Sequence, residues 1–220
     1  MLIQNTTFVT DNLQWMVGKT IPCVDLDQRG MADKIESMAQ AHFKKIYPVG
    51  NSIYEYHDPK TVRSIDDFSL FHKTRANAKQ IVLMDVKTHD TDRTFSMPNL
   101  ISAERLFKLY SDKDNYFGLA IIDYEANPNT HDGRSSGNKI ITNTRAMLIE
   151  EISWSCLHIQ NLGTGQIQIK NLGNEIIKFN GTRQEWLDKF YQAMIDFTSH
   201  TIKKITKRRG QWEERFSGNI

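Results

Sequence analysis

Apolar positions recur along this chain at two spacings, and each change of spacing marks a new element. Within residues 32–46, Ile35, Met38, Ala39, His42, Phe43 and Ile46 fall at helical spacing, which predicts an amphipathic helix bounded by Gly30 and Pro48. Beyond a polar loop at 57–66, residues 68–71 have strand character, and 81–87 form a second apolar strand across a loop rich in Lys, Thr, Arg and Asn. These two are expected to pair as an antiparallel hairpin. Pro98 and Asn99 precede a helix predicted over 101–110, with Ile101, Leu106, Phe107 and Tyr110 on its apolar side. Residues 116–124 hold the most apolar run, Leu119-Ala120-Ile121-Ile122, which predicts a central strand buried on both faces. The polar stretch 125–138 reads as an exposed loop. Residues 152–159 and 165–170 alternate like strands, the latter with Ile167 and Ile169 on one face and Gln166, Gln168 and Lys170 on the other. Thr182 with Glu185 three residues on fits a capping box. It opens a helix through Trp186, Phe190, Ala193, Met194 and Phe197 that reaches the basic cluster Lys203, Lys204, Lys207, Arg208 and Arg209.

Mixed helices and strands without repeat or linker predict an α/β (α+β) fold in one domain over 1–220. At 220 residues and 39% hydrophobic content, the chain can bury a sizeable core. No apolar stretch approaches the roughly 20 residues that span a bilayer, and residues 1–11 lack a basic segment followed by an apolar one. A soluble, cytoplasmic protein with no membrane partner is expected. Cys23 and Cys156 are too few for a disulfide framework and lack zinc-ligand spacing, so both are expected to be reduced. The net charge of +2 excludes binding to nucleic acid by bulk charge, so any such contact needs local placement of Lys and Arg.

Candidate chemistry lies at the end of the 81–87 strand, Met84-Asp85-Val86-Lys87. Alternate strand residues share a face, so Asp85 and Lys87 project together while Met84 and Val86 point into the core. A hairpin symmetric about Ala76 pairs Phe71 with Ile81, Ser69 with Leu83 and Asp67 with Asp85. Opposed residues have Cβ atoms about 5 Å apart, and two carboxylates that close repel unless a cation lies between them. Mg2+, which prefers hard oxygen ligands, suits that position, and Lys87 can then orient a metal-activated water. Asp-x-Lys is also common as a plain solvent-facing strand end.

The Asp67 and Asp85-Val86-Lys87 arrangement resembles the PD-(D/E)xK nuclease signature, with Asp66 where the pattern carries Pro. Further segments in the same order resemble the blunt-cutting, HincII-like branch of the type II restriction endonucleases. They are Leu83 to Thr88, Pro98 to Ala103, Leu119 to Glu125, Ile152 to Trp154 and Phe179 to Trp186, covering the chain from about Gly30 onward. The resemblance implies a PD-(D/E)xK restriction-endonuclease-like fold, a mixed central sheet with a catalytic hairpin flanked by helices, and a homodimer that cuts both strands of a short palindromic duplex with Mg2+. Blunt ends and 5′ phosphates are implied, as is a separate cognate DNA methyltransferase. It implies Asp67 and Asp85 as metal ligands, Lys87 as the catalytic lysine and Glu36 as an additional acidic residue near the site. A helix-surface Glu is also often only solvated. A repair or junction-resolving nuclease and a non-catalytic DNA-binding module are the alternatives.

In that branch the stretch after the catalytic lysine carries groove contacts. Asn99 matches a base-contacting position, and an Asn amide can pair with adenine, although Asn99 could equally cap the helix expected after it. Ser96 stands where the branch has a longer amide that wedges between bases, flanked by Phe95 and Met97, and Ser153 where it has a base-reading Asn. Thr88, Asn180 and Thr182 join the DNA-facing candidates. His89, Arg93, Lys170, Arg183 and the cluster at 203–209 are candidate phosphate contacts, though the cluster also suits its own helix dipole.

Overall fold

The apolar run at 119–122 lies inside the larger of two sheets. The computed structural model describes residues 7–22, 28–50, 53–59, 66–73, 79–93, 96–126, 138–160, 165–172 and 175–217. The chain opens with α1 (Thr7–Leu13), β1 (Thr20–Ile21), α2 (Gln28–Ile46), β2 (Tyr54–His57), β3 (Phe68–Lys73) and β4 (Lys79–Asp90). It continues with β5 (Asn99–Ser102), α3 (Ala103–Leu109), β6 (Asn115–Ala126), β7 (Lys139–Leu148), β8 (Leu157–Gln160), β9 (Gln166–Ile169) and α4 (Arg183–Ser217). The six-stranded sheet has the order β1-β7-β6-β4-β3-β2, and a three-stranded sheet has the order β5-β9-β8. β4 and β6 run parallel and the other pairs antiparallel, so the arrangement is a mixed α+β one.

β6 is buried on both faces because each face meets a separate apolar layer. Tyr116, Ala120, Ile122 and Tyr124 pack with Met31, Ile35, Ala39 and Phe43 of α2, whose four-residue spacing puts them on one side of that helix. Phe117, Leu119 and Ile121 pack on the other face with Leu106 of α3, Ile167 and Ile169 of β9, and Trp186 and Phe190 of α4. Fully burying one such side chain contributes about 1.5–3 kcal/mol, so the sheet is clamped from both sides. Gly118 keeps β6 close to its neighbours, since a Cβ there would lie 2.5 Å from Met84 Sδ.

The β3–β4 pair has the expected register, with Phe71 opposite Ile81, Leu70 opposite Val82 and Ser69 opposite Leu83. Several expectations change. Residues 101–102 are not helical: Asn99–Ser102 form β5 and pair with β9, and α3 begins at Ala103 with the Ser102 hydroxyl accepting from Arg105 N. Asn99 therefore does not cap the helix. In the 152–159 segment only Leu157–Gln160 is strand, because Trp154–Cys156 forms a 3-10 turn. Glu125 and Ala126 belong to β6 rather than to a loop, and 127–137 lie outside the described residues, as do Cys23 and Phe95. β7 had no counterpart in the sequence pattern. The capping box is present, with Thr182 N donating to Glu185 Oε2 at 2.6 Å and Glu185 N donating to Thr182 Oγ1 at 3.2 Å. α4 continues past the basic cluster to Ser217. No helix among the described residues is long and apolar enough to cross a membrane.

Candidate active site

At the mouth of the β3–β4 pair the last ladder partners are Phe68 and Met84, and Asp67 N donates to Met84 O at 2.8 Å. That bond draws Asp67 alongside Asp85. Asp67 Oδ2 accepts from Val86 N at 2.6 Å, so the carboxylate sits in line with β4 rather than in solvent. Asp85 is buried between Met84 and Val86, which face the α2 layer. Its Oδ1 accepts from Lys87 Nζ at 2.7 Å, as two side chains on one strand face should, whereas Oδ2 is buried with no donor among the described residues. α2 brings Glu36 to the same place through Gln40, whose Nε2 donates to Glu36 Oε1 and to Asp67 O, both at 2.9 Å.

Three carboxyl groups thus crowd one lysine, and their protonation reflects it. Burial, with the Asp67 charge adding to it and Lys87 opposing it, pushes Asp85 up to about 8. Burial also raises Asp67, against the opposing Val86 N–H and Lys87. Glu36 is pushed up to about 7 by burial, then by the charges of Asp67 and Asp33. The excess negative charge and the donorless Asp85 Oδ2 fit a hard divalent cation, which would supply what a proton otherwise supplies. Among the described residues no three His, Cys, Asp or Glu side chains surround one metal position. The protein would then offer two carboxylates, leaving the other positions to substrate and water, as is usual for Mg2+.

The other candidate residues are scattered. Thr88 is half-buried on β4 opposite Ile122. His89 is buried, and its Nδ1 lies 3.2 Å from Asp123 Oδ1. Arg93 is exposed, with Nε 3.8 Å from Asp90 Oδ2. Ser96 is tied down at both ends, its N donating to Asn171 Oδ1 at 3.1 Å and its O accepting from Leu172 N at 2.8 Å, and Met97 beside it is half-buried. Asn99 is exposed and its Oδ1 accepts from Gln168 Nε2. Ser153 caps the following 3-10 turn, accepting from Ser155 N at 3.3 Å. Lys170 donates to Ser155 O at 2.7 Å, and Asn180 is exposed. Thr182 is engaged in its capping box.

Arg183 points inward. Its Nε lies 3.0 Å from Glu150 Oε1, its amino groups donate to Lys113 O and Asn115 O, and its plane lies over Tyr110 and Tyr116. Glu150 is buried and accepts from Tyr110 Oη at 2.6 Å, so Arg183 clamps the start of α4 to β6 and α3. In α4 the cluster at 203–209 is exposed, together with Ile195, Ile202, Ile205, Trp212 and Phe216.

Gln40, Asp123 and Arg145 are polar residues near the site that the sequence pattern does not single out. For Asp123 a signal existed: a charge directly following the most apolar strand run needs a buried partner.

No protein-family model matches the chain, and no curated protein matches it. Among solved structures it is similar to the NlaIV restriction endonuclease, with a TM-score of 0.48 and 12% sequence identity over 88% of this chain and 80% of that one. A similarity of that size fixes neither a fold family nor an activity.

Proposed function

We propose that this protein is a type II restriction endonuclease of the PD-(D/E)xK superfamily, hydrolysing double-stranded DNA at a specific sequence with Mg2+. The observation that carries the reading is the β3–β4 register, which brings Asp67 beside Asp85 with Lys87 Nζ 2.7 Å from Asp85 Oδ1. A mixed sheet with this hairpin at one side and helices on both faces agrees with the fold that the sequence resemblance implies.

Mg2+ held by Asp67 and Asp85 would act as a Lewis acid, lowering the pKa of a bound water and offsetting charge on the scissile phosphate. Val86 N–H fixes Asp67 Oδ2, so the carboxylate needs no reorganisation when substrate arrives. Lys87, held against Asp85, orients the attacking water and balances charge developing on the phosphate oxygens. Glu36, near neutrality in its proton affinity and linked to Asp67 through Gln40, suits acceptance of the water proton. The water oxygen bonds to phosphorus as the bond to the 3′ oxygen breaks, the water proton passing to Glu36 and the departing 3′ oxygen taking a proton from a solvent water, which leaves a 5′ phosphate and a 3′ hydroxyl.

On the HincII-like resemblance the enzyme is a single-domain cytoplasmic homodimer that leaves blunt ends at a palindrome, and a separate methyltransferase protects host DNA. Of the DNA-facing candidates, exposed Asn99 and Asn180 remain open to a duplex, whereas Arg183 is committed to the fold. Digestion of a plasmid and a phage genome in Mg2+, followed by sequencing of the ends, tests the reading. Discrete fragments sharing one terminal sequence are expected. Fragments defined by DNA shape instead would identify a repair or junction-resolving nuclease, and intact DNA in both Mg2+ and Mn2+ would defeat the catalytic reading.

A further inference from the structure

Beyond Lys87 the same face of β4 carries a second polar assembly. His89 pairs in register with Asp123 of β6, and Asn143 of β7 lies opposite Asp123, with Arg145 two residues further on. Asp123 is buried and accepts from three sides: His89 Nδ1 at 3.2 Å, Asn143 Nδ2 at 3.1 Å and the Arg145 guanidinium. One carboxylate therefore fixes both an imidazole and a guanidinium. Because Nδ1 faces a carboxylate, the ring proton resides there, and Nε2 is the group left to act. His89 is buried, yet its Nε2 has no partner among the described residues. A buried polar atom in that state costs about 1–3 kcal/mol, which a ligand would recover.

His89, Asp123 and Arg145 lie in the wall of an open cavity of about 600 Å³, together with Leu172, Glu175 and Lys178. Asp123 is already neutralised by Arg145, which leaves Lys178 and the outward side of the guanidinium against one exposed carboxylate, Glu175. Among the described residues no Phe, Tyr or Trp lines the cavity, which gives a nucleobase no stacking platform from them. The chemistry suits a compact oxyanion held by charge-assisted hydrogen bonds. From Lys87 to His89 the strand advances about 7 Å, the axial rise of about two nucleotides of one DNA strand.

We propose that this cavity seats a backbone phosphate of the bound DNA within about two nucleotides of the scissile one, with Arg145 and His89 Nε2 as its donors and Asp123 as the residue that positions both. The proposal rests on the nuclease reading above. A phosphate oxygen in the cavity accepts from Arg145 and from Nε2 of the doubly protonated ring, whose Nδ1 proton stays with Asp123.

The test is a scan of duplexes bearing the cleaved sequence, each with a single neutral methylphosphonate within three nucleotides of the cut. Kd is measured in Ca2+ for wild type, His89→Gln, Arg145→Gln and Arg145→Lys, the last keeping a cation against Asp123 should the Gln variant fail to fold. At one position the neutral linkage is expected to weaken wild type about tenfold and each variant, which has lost one of the two donors, about threefold, because the loss of about 1.4 kcal/mol is shared between two hydrogen bonds. Equal losses for wild type and variants at every position would overturn the subsite while leaving the nuclease reading intact. Failure of wild type to bind any duplex would overturn both.

Discussion

Loading the carboxylate site with a divalent cation at pH 7 is expected to expel close to one proton per protein. Burial and the neighbouring Asp67 charge push Asp85 up to about 8 in the metal-free protein. A group of that affinity is protonated in roughly nine molecules of ten at pH 7, and a metal ligand must be deprotonated, so about 0.9 proton leaves. Glu36, pushed up to about 7, would add up to about half a proton if the ion draws it in. Apparent affinity should then rise about tenfold per pH unit from 6 to 8 and flatten above. The linked effect on stability follows in sign. Between the ordinary 3.8 and about 8 the folded metal-free protein binds more protons at Asp85 than the unfolded chain. That contribution is fully present below 3.8 and lost as pH rises through about 8, and a bound cation removes the loss. Titration calorimetry with Ca2+ in two buffers of different ionisation enthalpy reads the proton count directly. Heats that do not depend on the buffer, or an unchanged proton count for Asp85→Asn, would refute the reasoning.

Three further outcomes concern the fold. Arg183→Ala should destabilise the protein by about 3–5 kcal/mol, because it strands the buried Glu150 carboxylate, and should lower Tm without changing the salt dependence of DNA binding. Thr182→Ala removes one half of the capping box and should cost about 1 kcal/mol in a denaturant titration. Gly118→Ala should cost about 1–3 kcal/mol by overpacking against Met84 and Val82, and Gly118→Ala with Met84→Leu should recover part of it.

The hairpin, the doubly buried strand and the α2 face were legible because their apolar positions follow a single period. Phe71 and Ile81 even set the register that aligns the two aspartates. β7 was not legible, since several of its positions face polar partners: Asn143 and Arg145 both bond Asp123. A register shift between Asp123 and Tyr124 breaks what alternation remained. Ile101 and Ser102, the last two residues of β5, were read into the next helix because Ile101 fits helical spacing as well as it fits a strand paired with β9. At the site, Asp67, Asp85 and Lys87 lie close enough in sequence for one hairpin to join them. His89, Asp123 and Arg145 come from three strands, and only the sheet order β7-β6-β4 makes them neighbours.

Cleavage of supercoiled plasmid in Mg2+ by wild type, Asp85→Ala and Lys87→Ala, with DNA binding in Ca2+ measured on the same preparations, bears most directly on the proposed chemistry. Wild type is expected to linearise the plasmid, and Lys87→Ala to cut at least about a hundredfold more slowly while still binding in Ca2+. Asp85→Ala is expected to lose cleavage together with its cation response. Variants that cut as fast as wild type would contradict a catalytic site at Asp67, Asp85 and Lys87.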